Sequence, residues 1–323
     1  MTLPPLARLT GALPRTTTPV VRRLAVASLV SQIAIVVTGG AVRLTASGLG
    51  CPEWPRCTAD SIVTTPEMGF HGVIEFGNRL LTFVLVAIAV AMIVAVLGMR
   101  RERKDLFRLS IGLFLGIPAQ AVIGGITVWT GLNPWVVGLH FVVSMILVAV
   151  AMVLVNRARL DAAQYRSRRA PAAPPLLRQL LLTSTVLTSI AILLGVVVTG
   201  SGPHAGDHGA ARNGLDSDLM TRLHALPVYL LVATVALAVV VAYRSAVHAK
   251  LCKALVLLAV IVLLQGAVGY VQHFLHLPIA LVALHMLGAS LLMAAAVHAQ
   301  YTGTTRRTLP GTTAATRMPQ AVS

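Results

Sequence analysis

Charge is scarce in this 323-residue chain, and acidic charge is scarcest. Charged residues make up 11%, and only ten aspartates and glutamates stand against 26 lysines and arginines. Such a composition excludes a soluble domain of any size. Aromatic residues reach only 5% and are not interleaved with the basic ones, which argues against a nucleic-acid surface. Carboxylates are nearly absent from the apolar runs, where a proton-relay transporter would need several. There are three cysteines and no close-spaced set of four ligands of the kind zinc prefers.

Apolar sequence fills the space left. Hydrophobic residues amount to 56%, and mean hydropathy is +0.83. A bilayer span needs roughly 20 apolar residues. Eight runs qualify, at about 22–42, 70–98, 108–129, 134–155, 177–200, 218–243, 252–272 and 278–300. Backbone polar groups in lipid must be satisfied within the segment, so these runs are expected to be helices. The chain is read as an all-α integral membrane protein with eight transmembrane helices.

The basic residues orient it. Of the 26, 21 lie in the segment up to and including Arg23, in Arg100–Arg108, in Arg157–Arg178, in Arg244–Lys253 or after Tyr301. The intervening loops, 43–69, 130–133, 201–217 and 273–277, hold almost none. Positive-inside asymmetry then places both termini in the cytoplasm. The net charge of +16 reflects this topology and contact with anionic lipid. The run after Arg22-Arg23 is too long for a signal peptide and reads as a retained first helix.

The chain also repeats itself. Moved forward by 145 residues, QAVIGGITVWTGLNPWVVGLH (120–140) falls without a gap on QGAVGYVQHFLHLPIALVALH (265–285). Gln120 meets Gln265, Gly124 meets Gly269 and His140 meets His285. A shift of 146 places Asn78 on His224, and VVTGG at the end of the first run is echoed by VVVTGSG at the end of the fifth. Two pseudo-symmetric four-helix bundles are expected, at 22–155 and 177–300, joined by a cytoplasmic linker at 156–176. Disordered ends are expected at 1–21 and 301–323.

Asn78, His140, His224 and His285 thus occupy equivalent positions, all in the outer part of their helices. Two histidines facing across a bundle at one depth suit the trans axial positions of a haem iron. A lone histidine on an apolar helix is otherwise a hydrogen-bonded core residue. In the second run, His71, Glu75, Asn78 and Thr82 share a stripe with Arg79 beside it. A carboxylate inside a span is a functional candidate, against the alternative of a structural i, i+4 pair with Arg79. Cys51 and Cys57, spaced C-x5-C in an outward loop, favour a disulfide over two free thiols. Cys252 reads as an inert small side chain. His204, Asp207 and His208 form a conceivable metal cluster, although a polar outer loop is the plainer reading. His273 and His276 in the last outer turn read as solvated.

With these residues assembled, the sequence resembles the bacterial haem A synthase family over roughly 22–300. The resemblance is carried by GGAVRLTASGLGCPEWPRC, by Glu75, Asn78 and Arg79 in an E-x-x-(H/N)-R helix, and by TGLNPWVVGLH, TGSGPHAGD, His224 and LPIALVALH. It implies haem b held between His224 and His285, and haem O received as substrate with His140 on its iron. Glu75 is implied as the essential acid, and Cys51–Cys57 is implicated in activity or in stabilising its loop. The implied reaction hydroxylates the C8 methyl of haem O twice, giving an aldehyde hydrate that loses water to a formyl group.

Asn78 departs from the pattern, since better-known members carry histidine there. An amide ligates iron poorly, so His140 is expected to hold the substrate iron alone. Asn78 is expected to hydrogen-bond what occupies the opposite face, with Glu75 relaying protons. His71 lies two turns, roughly 10 Å, too far out to substitute. The implied setting is the plasma membrane, with lipids, an unidentified electron donor and a haem O synthase at the basic loops as candidate partners. Rival readings are a di-haem electron carrier and a haem transporter. The asymmetry of one half with Glu75 and an amide against one with a histidine pair counts against the carrier.

Overall fold

The computed structural model describes residues 16–166, 170–171, 173–304 and 306–307. Eight of its helices are long and apolar enough to cross a membrane: α1 (Pro19–Leu44), α2 (Gly69–Leu97), α3 (Lys104–Trp129), α4 (Pro134–Ala158), α5 (Pro175–Ser201), α6 (Ser217–Arg244), α7 (Ala249–Phe274) and α8 (Ile279–Thr304). A single 3₁₀ turn, Pro66–Met68, leads into α2, and a five-residue helix, Ala162–Arg166, follows α4. Strand structure among the described residues is limited to Ala170–Pro171 against Arg306–Arg307.

Local chemistry explains where the helices start. Thr18 caps α1 by accepting from the Val21 amide, and Pro19 occupies the first turn, where a missing N–H costs nothing. The helix therefore begins three residues before the expected run at 22. His248 caps α7 by accepting from Lys250, again three residues early. α8 continues past residue 300, through a buried Gly303, to Thr304. The segments expected to be disordered, 1–21 and 301–323, otherwise lie largely outside the described residues.

Each run of four helices closes on itself. α1 packs on α2 and α4, and α3 packs on both; α5 packs on α6 and α8, and α7 packs on both. The two groups meet through α1 and α4 on one side and α5 and α8 on the other. Met92, Val96, Met145, Val148 and Leu154 lie at the centre of the first apolar core. Leu181, Leu231, Leu255 and Leu258 form the second, with Ala295, Ala296 and Ala299 letting α8 approach closely. Outward faces remain apolar: Phe83, Phe274 and Leu263 are all well exposed. In lipid such faces need no cover.

One basic residue at the end of the bundle that also holds the start of α1 and the end of α8 has a structural task. Arg103 is fully buried, makes a two-pronged pair with Asp105 (3.0 and 3.1 Å), and donates to the carbonyls of Arg157 (2.8 Å) and Leu160 (2.5 Å). It fastens the α2–α3 turn to the end of α4. Arg103 therefore does not belong with the cations that face lipid headgroups.

Candidate functional site

The repeated hairpins build the same seat twice. On α3, the Gln120 amide nitrogen donates to the His140 carbonyl on α4 (3.1 Å). On α7, Gln265 does the same for His285 on α8 (2.8 Å). Gly124 and Gly269 then leave room for the imidazoles: a Cβ there would stand 3.4 Å from Cε1 of His140 and 3.2 Å from Cε1 of His285. Nδ1 of both rings is buried without a hydrogen-bond partner. Gln120 also bonds Ser144, while Gln265 fits only because residue 288 is glycine.

His224 is seated differently. Its Nδ1 lies 2.8 Å from the Ala191 carbonyl on α5. A carbonyl only accepts, so Nδ1 carries the proton and Nε2 keeps its lone pair for a ligand or metal. Gly195, one turn further out, makes room for the ring, with a Cβ position 3.1 Å from Cε1. The rings of His224 and His285 lie edge to face, with centroids 6.5 Å apart and planes at 72°. Two imidazoles that each bind one metal at about 2.0–2.1 Å have ring centres within roughly 6 Å of each other, so His224 and His285 would fit as a pair of iron ligands. The two imidazoles are thus close enough that both could hold one iron.

The first half has no such ring pair. Asn78 accepts from the Thr38 hydroxyl on α1 (2.7 Å), which leaves its amide nitrogen free to donate. No hydrogen bond joins it to His140. Aligning TGG of α1 with TGS of α5 matches Thr38 with Thr199. Asn78 thus sits against a level one to two turns further out than the Ala191–Gly195 level that holds His224.

Glu75 is buried, and both its oxygens are engaged. Oε2 accepts from the Cys51 amide (2.7 Å), and Oε1 accepts from Arg79 (2.5 Å). Arg79 also donates to the carbonyls of Cys51 (3.1 Å), Glu53 (3.1 Å) and Arg56 (2.9 Å). The i, i+4 pair read from the sequence is thus the anchor of the whole first outer loop. Cys51 and Cys57 form a disulfide in that loop, and both are fully buried. Trp54 reaches across to α3, where it packs edge-on against Trp129 and accepts from its indole nitrogen through the backbone carbonyl (3.1 Å). A side chain at Gly125 would collide with the Trp54 indole. In the second copy this position is Tyr270, whose hydroxyl bonds Tyr229 instead (2.5 Å).

The remaining candidates fall away from these sites. His71 is exposed and bonds Ser47 (2.9 Å). Among the described residues no group of three or more histidine, cysteine or acidic side chains is placed to hold a metal ion. His204 turns instead to the Leu277 carbonyl (3.0 Å), and Asp207 accepts from the Gly209 amide. His273 and His276 are exposed, and the Cys252 thiol is free. A cleft of about 510 Å³ between the outer loops is lined by Gly50, Pro52, Glu67, His71, Asp207 and His208, none of them a proposed iron ligand.

A profile of the COX15-CtaA family, described as cytochrome oxidase assembly protein, matches residues 22–206. The chain belongs to that family. Similar proteins include one from Exiguobacterium sibiricum named "Heme A synthase", 28% identical over 170 residues, covering 52% of this chain and 55% of the relative. One of the same name from Lysinibacillus sphaericus is 36% identical over 137 residues, covering 40% and 42%. Another from Symbiobacterium thermophilum is 27% identical over 181 residues, covering 55% and 58%. The matches span about half the length of these relatives. The COX15-CtaA match ends before His224, so the reading of α6–α8 rests on the repeat and on ring geometry.

Sequence reasoning missed several of these contacts. Glycines at 195 and 125 carry no signal of their own inside apolar helices. Gln120 and Gln265 were visible as repeat partners, but their hold on a histidine carbonyl appears only once α3 meets α4 and α7 meets α8.

Proposed function

We propose that this chain is a haem A synthase that oxidises the C8 methyl group of haem O to a formyl group, with its two halves as pseudo-symmetric bundles of divided labour. The observation that carries the reading is the His224–His285 pair, close enough that both could hold one iron. These two residues would hold haem b, which when bound supplies a one-electron relay. Asymmetry between the halves favours catalysis over a di-haem carrier.

His140, seated by Gln120 and Gly124, is the residue offered to the iron of the substrate haem O. Asn78, with its oxygen held by Thr38, presents an N–H to the opposite face. Glu75 is the acid of the site. Its bonds to Cys51 and Arg79 also tie the disulfide loop and Trp54 over the outer end of the first bundle, which shields that end from water. The methyl carbon is hydroxylated twice with dioxygen as oxidant. Each time one oxygen atom enters a C–H bond, and the other leaves as water with two electrons from the donor and two protons. The resulting aldehyde hydrate loses water to give the formyl group. The protein resides in the plasma membrane with both termini cytoplasmic; its electron donor is unidentified, and a haem O synthase is a candidate partner at the basic loops.

The ligand assignment is checked by absorption and electron paramagnetic resonance on purified protein. His224→Ala and His285→Ala should each abolish the low-spin bis-imidazole signal of haem b. His140→Ala should keep that signal and lose conversion of haem O. A low-spin signal that survives both of the first two substitutions would place haem b elsewhere.

A further inference from the structure

Arg43 lies on α1, in the first half, yet its guanidinium is spent on the second. Nε donates to the His204 carbonyl (2.6 Å) and Nη2 to the Thr199 carbonyl (3.0 Å). Arg212 takes the adjoining carbonyl, Pro203 (2.6 Å), and also that of Ala210 (3.1 Å). Two guanidinium groups thus sit on consecutive carbonyls of one loop. The ion pairs among the described residues are Glu75–Arg79, Arg103–Asp105 and Arg157–Asp105, so neither arginine meets a carboxylate there.

Capping accounts for part of this. In a continuing helix Thr199 would bond the amide of residue 203, but that residue is proline and has no N–H. Arg43 fills the gap. Capping does not explain why a second cation adjoins it, nor why Nη1 of Arg43 has no partner among the described residues. Arg43 is half-buried at this seam while Arg212 is exposed beside it, and a half-buried cation without a carboxylate partner is costly unless an anion joins it.

The location identifies the anion. Gly195 lies against the His224 ring, and Thr199 is one turn, roughly 6 Å, further out on the same helix. A cation at the Thr199 carbonyl therefore stands just outward of the proposed haem b. Porphyrins of this class carry two propionates on one edge. We infer that Arg43, assisted by Arg212, binds a propionate carboxylate of the haem held by His224 and His285, so that the first half supplies part of the second half's cofactor site. This rests on the haem reading above and adds an outward propionate edge and a cross-half ligand to it.

The test titrates the full chain, prepared free of haem in nanodiscs, with haem b and with its dimethyl ester, following the bis-imidazole Soret band. The native protein should bind the diacid at least about tenfold more tightly than the ester, as expected for charge-assisted hydrogen bonds. Arg43→Gln should remove most of that preference, Arg43→Lys should restore part of it, and Arg212→Gln should have a smaller effect. Loss of the carboxylate partner should also shift the midpoint potential of the low-spin haem. Equal binding of the two porphyrins by the native protein would overturn the inference without requiring any variant to fold. So would an undiminished preference in Arg43→Gln. Absence of a His224-dependent low-spin band with either porphyrin would instead overturn the haem reading itself, and this inference with it.

Discussion

Glu75 and Asn78 are three residues apart on α2, and they face different neighbours. Glu75 is committed to the disulfide loop through Cys51 and Arg79, whereas Asn78 is held by Thr38 on α1. Glu75→Gln keeps an acceptor for the Cys51 amide but loses the charge opposite Arg79. If Glu75 is the acid proposed above, its loss should lower conversion by about 10²-fold or more, as for general acid–base residues. The second-half haem spectrum should be unchanged; loss of all haem on this substitution would assign Glu75 to folding alone. In the proposed substrate site, Asn78→His would offer a stronger ligand opposite His140. It should convert the substrate haem to a six-coordinate low-spin form and alter turnover, both measurable by absorption spectroscopy and product analysis. If neither changed, Asn78 would have no part at the substrate iron.

Helices carry the next level of argument. Eight spans were legible because lipid demands long apolar runs. Capping by Thr18 and His248 extended α1 and α7 beyond their apolar stretches, while α3 starts at Lys104, four residues early, with no side-chain cap, and α8 runs on to Thr304. The histidines were legible because an ionisable residue recurred at the same register. The disulfide was legible from its outward loop. What could not be read was tertiary: that Arg79 gathers three loop carbonyls, that Trp54 needs a glycine at 125, and that α5 seats His224 a level deeper than α1 seats Asn78. Such contacts join residues far apart in sequence and leave no period behind. The glycine seats yield a prediction of their own. Gly269→Ala, with its new Cβ 3.2 Å from the His285 ring, should force that ring to shift by a few tenths of an ångström. Haem b affinity should fall by about tenfold, while thermal stability of the haem-free protein holds or rises, because alanine favours a helix by about 1 kcal/mol over glycine. Unchanged haem affinity would show that the ring tolerates the contact.

The whole molecule is two four-helix groups fastened at both ends of a shared wall. Near the outer face Arg43 bonds the carbonyls of Thr199 and His204, and Gly48 donates to Gly206 (2.9 Å). Near the opposite end, where α4 and α8 finish, His298 pairs with Asn156 (2.7 Å). A rigid wall between the halves suits an enzyme that must keep an electron-carrying cofactor at a fixed distance from its substrate. An electron carrier would need the same wall but would release its haem unchanged. The deciding measurement is therefore extraction and mass analysis of haem from membranes that contain this protein and a source of haem O, in a host that makes no haem A. The account predicts haem A, or its singly hydroxylated precursor, in those membranes and its absence when Glu75 is replaced by Gln. Recovery of only haem b and unmodified haem O, with the low-spin His224–His285 signal intact, would contradict it.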